Sequence, residues 1–278
     1  ASIVPLRGLL NSDEYKSKRD KYELPIAIGV TVTQQVKVVD LTQAPHLLVA
    51  GATQQGKSVC LNVIITSLLY GKHPSELKFV FIDPKMVEFS AYSSLIKHYL
   101  AVLPDADDED SERNRAIVKN AKDAEKVLRS LCKEMDDRYE LLSKAGINKI
   151  TLYNEKFRDR KLNPEKGHRY LPYLVVVVDE YADLTLVSGG SPEEKSNSRS
   201  ITNCIIRLAQ KGRAAGIHVI LATQRPSVDV VSGIIKSNFP MRIAFRTSSR
   251  QDSMTIIDAP GAEKLIGRGD MLFSGGLE

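Results

Sequence analysis

The sequence predicts an α/β fold in which a mainly parallel sheet is flanked by helices. Two observations support this prediction. Short runs rich in valine, isoleucine and leucine are almost continuously apolar, which is typical of strands buried on both faces. These runs alternate with longer segments whose apolar residues recur every three or four positions, as they do in helices that cover a sheet.

The first part of the chain differs from the rest in its pattern of polar and apolar residues. Residues 1–24 are polar and helical in tendency, whereas residues 25–41 (PIAIGVTVTQQVKVVDL) alternate apolar and polar side chains around a short polar turn. That alternation predicts a β-hairpin. We therefore expect a small N-terminal α/β subdomain at 1–44 and a separate core at 45–278.

The core shows strand and helix patterns in turn along the chain. The predicted strands are 46–51, 77–83, 173–180, 217–224 and 241–247. The predicted helices are 62–71, 117–142 and 197–216. Composition predicts surface loops at 105–112, which is strongly acidic, and at 188–200.

The overall composition is that of an ordinary globular protein, with 42% hydrophobic and 26% charged residues among 278. No apolar run reaches the roughly 20 residues of a membrane span, so we expect a cytoplasmic chain without direct membrane contact. Cys60, Cys132 and Cys204 lack metal-site spacing, which predicts reduced, buried thiols. A net charge of +5 permits an anionic partner without requiring one.

Residues 51–60 (GATQQGKSVC) fit the phosphate-loop pattern G-x-x-x-x-G-K-[ST], between a predicted strand and a predicted helix. Backbone N–H groups of such a loop surround the phosphates of ATP, Lys57 would neutralise phosphate charge, and the Ser58 hydroxyl would bind Mg²⁺. A chance glycine–lysine turn is the alternative. The predicted nucleotide-binding residues are Gly51, Ala52, Thr53, Gln54, Gln55, Gly56, Lys57, Ser58 and Val59.

The two glutamines of this loop are unusual for the pattern. Most of the binding comes from backbone amides, and side chains at the variable positions point outward. Gln54 is therefore costly only if its backbone needs a positive φ.

Two acidic residues follow the valine run at 175–178. Asp179 lies at the tip of a predicted buried strand, where ligands of open α/β sheets bind, and would hold Mg²⁺. Glu180 would orient or deprotonate the attacking water. A solvated strand end is the alternative, but the adjacent pair favours hydrolysis over a small-molecule kinase.

Two further residues are candidates for catalysis. Gln224 ends another predicted strand, where its amide would contact the γ-phosphate or water, and a polar strand cap is the alternative. Arg213 lies near the end of a predicted helix. It either forms an internal ion pair or reaches the γ-phosphate of a neighbouring subunit as an arginine finger.

Five segments together resemble the motor region of the FtsK/SpoIIIE double-stranded DNA translocases. They are PHLLVAGATQQGKSV, FIDPK, YLVVVVDEYADL, RLAQKGRAAGIHVILATQRPSVDVVSGIIKSNFPMRIAF and PGAEKLIGRGDMLF. The similarity runs from about residue 20 to the end. It implies a RecA-like P-loop ATPase core that forms a homo-hexameric ring and threads double-stranded DNA in chromosome segregation and cell division.

The resemblance also implies a role for each candidate residue. Lys57 and Ser58 fall on the Walker A residues, and Asp179 and Glu180 on the Walker B residues. Gln224 falls on the sensor glutamine and Arg213 on an arginine that acts across the subunit interface. The implied DNA contacts are Arg225, Ser227, Lys236 and Arg250. Phosphate contacts of this kind bind any DNA sequence, whereas Arg242 and Arg246 are equally explained as a solvated basic face.

The chain departs from the family pattern at Gln54, Gln55, Cys60 and Gly212, and it lacks the family's membrane-anchoring N-terminus and its winged-helix module. We expect it to be a piece of a longer, membrane-anchored protein, with Leu277-Glu278 as a cloning remnant. Two alternatives are a related ATPase that moves proteins in secretion, and a nucleotide-binding scaffold without turnover. The segment QRPSVDVVSGIIKSN favours the DNA motors.

Overall fold

The computed structural model describes residues 5–52, 54–82, 98–101, 117–186, 189–267 and 269–275. Thr53, the FIDPK residues after Ile82 and the acidic segment 105–112 lie outside the described residues. The chain divides into two compact units, one made of Ala1–Pro74 with Thr223–Glu278 and the other of Ser75–Ala222. The predicted boundary at residue 44 stays a prediction.

The described elements include every predicted strand of the core and further elements that the sequence pattern did not indicate. The helices are α1 Leu6–Leu10, α2 Asp13–Arg19, α3 Gln54–Gly71, α4 Ala121–Ala145, α5 Ile150–Arg158, α6 Tyr181–Thr185, α7 Pro192–Ala215, α8 Gly233–Asn238 and α9 Arg250–Ile257. The strands are β1 Pro25–Val30, β2 Val36–Asp40, β3 Leu47–Ala50, β4 Leu77–Ile82, β5 Ile117–Val118, β6 Tyr173–Val178, β7 Ile217–Thr223, β8 Met241–Phe245 and β9 Met271–Ser274. Short 3-10 turns lie at Pro164–Lys166 and Ala262–Lys264.

The second unit is built on parallel strands in the order β5-β4-β6-β7. Every residue of β6 is buried, and Leu77 of β4 lies opposite Tyr173 of β6. The continuous apolar runs thus mark strands covered on both faces, and the predicted parallel sheet is confirmed.

In the first unit β3 pairs with β8 in parallel, and β9 adds an antiparallel edge to β8. The predicted hairpin is confirmed as β1 and β2, which form a separate two-stranded sheet. The hydroxyl of Tyr15 in α2 donates to the carbonyl oxygen of Ser67 in α3 at 2.5 Å, and the side chain of Ser67 accepts the N–H of Ala27 at 3.1 Å. These bonds attach α2 and the hairpin to α3.

The helix predicted at 117–142 starts later than predicted. Ile117 and Val118 pair with β4 as a short strand, and α4 begins only after Asn120, whose side chain accepts the N–H of Asp123. The helix ends at Gly146, which has a φ of 67°. An apolar pattern cannot separate a short strand from the helix that follows it, which explains the error.

The surface loop predicted at 188–200 is wrong from Pro192 onward, because α7 starts there. The side chain of Ser191 accepts the N–H of Glu194, and the Glu194 carboxylate accepts the N–H of Ser191. This reciprocal capping box, with proline at the first helical position, starts a helix even in a polar sequence. Within the described ranges, no helix is long and apolar enough to cross a membrane.

Candidate functional site

The glycine loop starts where β3 ends, in the first unit. The N–H of Gly51 donates to the carbonyl oxygen of Thr223 at 3.3 Å, and the N–H of Ala52 donates to that of Arg246 at 3.0 Å. The beginning of the loop is therefore bound to the residues at the ends of β7 and β8.

The two fixed glycines of the loop pack against Phe245, a buried residue at the end of β8. A Cβ on Gly51 would lie 2.6 Å from the Cβ of Phe245, and a Cβ on Gly56 would lie 2.8 Å from its Cδ1. Neither glycine has a positive φ. Glycine is required at these positions because of close packing and not because of backbone conformation.

Gln54 and Gln55 form the first two residues of α3. Helical backbone has φ near −60°, so neither residue needs the positive φ that would make glutamine costly. The glutamines are thus compatible with the backbone of the loop. Their effect on nucleotide affinity stays a prediction.

The residues after Gly56 lie in the first turns of α3. The side chain of Lys57 is almost completely buried, at 1% exposure, Ser58 is half-buried and Val59 is exposed. Backbone amides, a lysine ammonium and a hydroxyl at the start of a long helix are the donor set that fits a phosphate group.

The two acidic candidates lie in the second unit, directly after β6. The N–H of Asp179 donates to the carbonyl oxygen of Ile82 at 2.9 Å, which extends the parallel pairing by one residue. Asp179 and Glu180 are both buried. The Glu180 carboxylate accepts the N–H of Ala182 at 3.3 Å and so caps α6.

The residues proposed for a metal ion have the right chemistry for Mg²⁺. The carboxylate of Asp179 and the hydroxyl of Ser58 are hard oxygen donors, and Mg²⁺ keeps several waters and takes few protein ligands. The part of the chain that the structure describes holds no cluster of three or more histidine, cysteine, aspartate or glutamate ligands. A hydroxyl and a carboxylate are each ligands that Mg²⁺ accepts, whereas Zn²⁺ sites favour histidine and cysteine.

Arg213 is exposed in the last turn of α7. Two side chains of α4 hold this end of the helix: Arg138 donates to the carbonyl oxygen of Ala215, and Tyr139 donates to that of Lys211. Gly212 is explained by packing, because a Cβ there would lie 2.4 Å from the carbonyl oxygen of Ile217. Sequence reasoning missed Arg138. An arginine at a position of the apolar stripe of a predicted helix was a signal that this side chain has a structural role.

Gln224 is half-buried and lies in the first unit, directly after Thr223. The carbonyl of Thr223 binds the N–H of Gly51, and its hydroxyl accepts the N–H of Arg225 at 3.1 Å. The structure thus brings Gln224 and Arg225 next to the beginning of the glycine loop.

The segment after Gln224 is anchored by a turn. The carbonyl of Ser227, a half-buried residue, accepts the N–H groups of Val230 and Val231 at 3.1 and 2.8 Å, and both valines are buried. Arg225 is exposed, as is Arg250 at the first position of α9. Two of the four predicted DNA-contact residues are therefore exposed to solvent.

Lys236 belongs to α8 and is less available. Its ammonium forms an ion pair with Asp258, which also accepts from Arg242 Nη1 at 2.6 Å. Arg242 further donates to the carbonyl oxygens of Phe239 and Lys236, at 3.0 and 2.7 Å. Arg242 is thus a structural residue and not a solvated basic face. The Lys236 hydrogen bond is the main cause that lowers the pKa of Asp258. Sequence reasoning did not identify Asp258 as the partner of these two basic residues.

Comparison with known proteins matches the FtsK/SpoIIIE family model to residues 9–228, which include the glycine loop, Asp179-Glu180 and Gln224. The chain belongs to the FtsK/SpoIIIE family. The resemblance inferred from the sequence is therefore confirmed.

Two FtsK proteins show how similar the chain is to known members of this family. The DNA translocase FtsK of Chlorobaculum tepidum is 47% identical over 270 residues, which cover 97% of this chain and 30% of that protein. The DNA translocase FtsK of Haemophilus influenzae is 44% identical over 290 residues, which cover 98% of this chain and 50% of that protein. The chain thus spans at most about half the length of these FtsK relatives.

Two solved structures share the fold of this FtsK/SpoIIIE chain. The pCW3 conjugation coupling protein TcpA, solved with ATPγS, has a TM-score of 0.74 and 28% identity, covering 95% of this chain and 65% of TcpA. The type VII secretion ATPase EccC of Thermomonospora curvata has a TM-score of 0.73 and 20% identity, covering 99% of this chain and 32% of EccC. The RecA-like α/β core is confirmed, and the likeness to EccC concerns the fold alone.

Proposed function

We propose that this chain is an ATP-hydrolysing motor that moves double-stranded DNA through a homo-hexameric ring during chromosome segregation and cell division. The observation that carries the proposal is 47% identity, across 97% of the chain, to a protein named DNA translocase FtsK. TcpA, a structural neighbour solved with ATPγS, supports ATP as the nucleotide.

In this proposal the loop amides and Lys57 bind the phosphates of ATP. Ser58 and Asp179 would each offer an oxygen ligand to Mg²⁺, which would supply positive charge for the transferred phosphoryl group. The chemistry of these donors, a hydroxyl and a buried carboxylate, supports the assignment.

Glu180 is proposed to orient or deprotonate the attacking water. Its N-cap hydrogen bond to Ala182 restrains one carboxylate oxygen, which supports a positioned base. Arg213 is proposed to stabilise the γ-phosphate of a neighbouring subunit, and its exposed position at the end of α7 supports this role.

Gln224 is proposed to couple loss of the γ-phosphate to movement of the DNA-binding segment. It directly follows Thr223, whose carbonyl binds Gly51, and it precedes Arg225. A shift of the loop backbone at Gly51 would therefore be transmitted through Thr223 and Gln224 to Arg225, where the proposed DNA-binding segment begins. The proposed DNA contacts are Arg225, Ser227, Lys236 and Arg250.

The test is steady-state ATP hydrolysis at low salt, with and without long duplex DNA. We expect DNA to stimulate turnover and Lys57→Ala to abolish it. Glu180→Gln keeps an oxygen that can cap α6 but removes the base, so hydrolysis should fall about 10²-fold or more while ATP still binds. The control is Glu140→Gln, which replaces an exposed carboxylate on α4 and should leave turnover unchanged.

Three results would count against the motor. Turnover that ignores DNA but responds to an unfolded protein substrate would favour a secretion-type ATPase. Normal turnover in Glu180→Gln would remove the proposed base. Arg213→Ala subunits that fail to suppress turnover in mixed assemblies would remove the proposed contact across subunits.

A further inference from the structure

A groove of about 560 Å³ runs between α4 and α7 in the second unit, and the proposed motor chemistry uses none of it. Its lining includes both Cys132, on α4, and Cys204, on α7. Cys132 is buried, whereas Cys204 is half-buried. Two thiols from different helices therefore meet at one surface opening.

The two cysteines contact each other directly. The thiol of Cys132 lies 3.7 Å from the carbonyl oxygen of Cys204, to which it donates. A hydrogen bond between the two thiol side chains, distinct from the one to the backbone carbonyl, is the main cause that lowers the pKa of Cys204 to about 7. The same side-chain hydrogen bond together with burial raises the pKa of Cys132. A half-exposed thiol with thiolate character beside a second thiol is the arrangement of reactive, resolvable cysteines.

The third cysteine, Cys60, differs from Cys204 in both burial and pKa. Cys60 is buried in α3, and burial raises the pKa of its thiol to about 12. A thiol that is buried and neutral is a poor attacking group for a disulfide in solution. Cys60 therefore serves as a control within the same chain.

Cationic side chains surround the thiol pair. They are Arg129, Lys133, Arg199 and Arg207. Three of these side chains form ion pairs with carboxylates: Arg129 pairs with Glu125, Lys133 with Asp137 and Arg207 with Asp136. Arg199 is exposed and forms no ion pair with any residue that the structure describes. The groove thus has an excess of positive charge, which attracts a small anion.

We propose that Cys204 is a modification site for disulfides of small anionic thiols and that Cys132 is its resolving thiol. The Cys204 thiolate attacks one sulfur of the incoming disulfide, whose S–S bond breaks as the mixed disulfide forms. One small thiolate leaves and takes a proton from water. This step modifies only Cys204.

The second step joins the two helices. Cys132 loses its proton to solvent and attacks the Cys204 sulfur, which forms the Cys132–Cys204 bond and releases the second small thiolate. Two protein thiols are oxidised, and one small disulfide is reduced to two thiols. This inference does not depend on the proposed DNA motor.

The experiment incubates the whole chain with oxidised glutathione, alkylates the remaining thiols and maps the peptides by mass spectrometry. We expect a Cys132–Cys204 disulfide in the unaltered chain and unmodified Cys60. In Cys132→Ser the reaction should end with one glutathione bound to Cys204. Cys204→Ser should react with oxidised glutathione at least about tenfold more slowly than the unaltered chain. A glutathione adduct mainly on Cys60 or Cys132, or an unreactive Cys204 in Cys132→Ser, would overturn the proposal.

The charge of the groove has its own test, which leaves both thiols in place. Arg199→Gln should slow the reaction with oxidised glutathione about threefold at low salt, because one positive charge is lost. The same variant should react at an unchanged rate with the neutral 2-hydroxyethyl disulfide. Equal slowing with both reagents would show that the groove does not select anionic disulfides.

Discussion

The guanidinium of Arg138 donates to the carbonyl oxygen of Ala215 at 2.8 Å, although 77 residues of chain separate them. Ala215 ends α7, and carbonyls at a helix end have no partner within the helix. Arg138 is buried, and its Nε lies 3.0 Å from Glu134. Burial lowers the pKa of Arg138 to about 10, so it remains charged at neutral pH. This bond fixes the end of the helix that presents Arg213.

Arg138→Met should lower the free energy of unfolding by about 2 kcal/mol, because the Ala215 carbonyl is left without its donor and the ion pair with the half-buried Glu134 is lost. Urea denaturation measures the change. Lys133→Met is the control, since this lysine is exposed on the same helix, and it should stay within about 0.5 kcal/mol. Equal effects of the two variants would show that the hydrogen bond from Arg138 to Ala215 contributes nothing to the free energy of unfolding.

Gly56→Ala should destabilise the chain by about 2 kcal/mol, because its Cβ would overlap the ring of Phe245. Thermal unfolding is the measurement. Gly233→Ala is a matched control, since no atom lies within 4 Å of a Cβ at that helical position. Adding Phe245→Leu should lessen the overlap. A Gly56→Ala protein as stable as Gly233→Ala would refute this explanation of the glycine.

Arg225→Ala should weaken binding of duplex DNA more than Lys236→Ala does. Arg225 is exposed, whereas the Lys236 ammonium is already paired with Asp258. Binding measured over a range of salt concentrations should lose about 0.9 from the slope of log K against log salt for Arg225→Ala. The loss for Lys236→Ala should be less than half of that. A slope unchanged by Arg225→Ala would exclude a phosphate contact there.

The Asp258 ion pairs should make stability depend on pH. Its folded-state pKa lies below the ordinary value of 3.8, chiefly because of the Lys236 hydrogen bond. The stabilisation is therefore present above pH 3.8 and is lost as the pH falls through the lower, folded-state value. Asp258→Asn should be less stable than the unaltered chain at pH 7, by a small amount because the carboxylate is 60% exposed.

Denaturation curves at several pH values measure this difference, which should shrink at acid pH. High salt at pH 7 should shrink it as well, since an exposed pair is screened. A difference between the two proteins that is the same at every pH would assign the effect to packing and not to charge.

The sequence was sufficient for the long buried strands and for the family, because valine-rich runs and the glycine loop are local signals. It was insufficient for the short strand β5, which it assigned to a helix, and for the edge strand β9. It was insufficient for the start of α7, where polar composition concealed the capping box of Ser191 and Glu194. The partnership of Gly56 with Phe245 and that of Lys236 with Asp258 join residues far apart in the chain. No local pattern contains such pairs, so only the fold reveals them.

The chain order of the two units has a consequence for synthesis on the ribosome. Ser75–Ala222 forms its unit from one continuous stretch, whereas the other unit needs both Ala1–Pro74 and Thr223–Glu278. Leu47 of β3 cannot meet its parallel neighbour Met241 until the whole second unit, which lies between them in the sequence, has been translated. The second unit is therefore able to fold before the first unit, which carries the glycine loop and Arg225 and is completed only after the second unit has been translated.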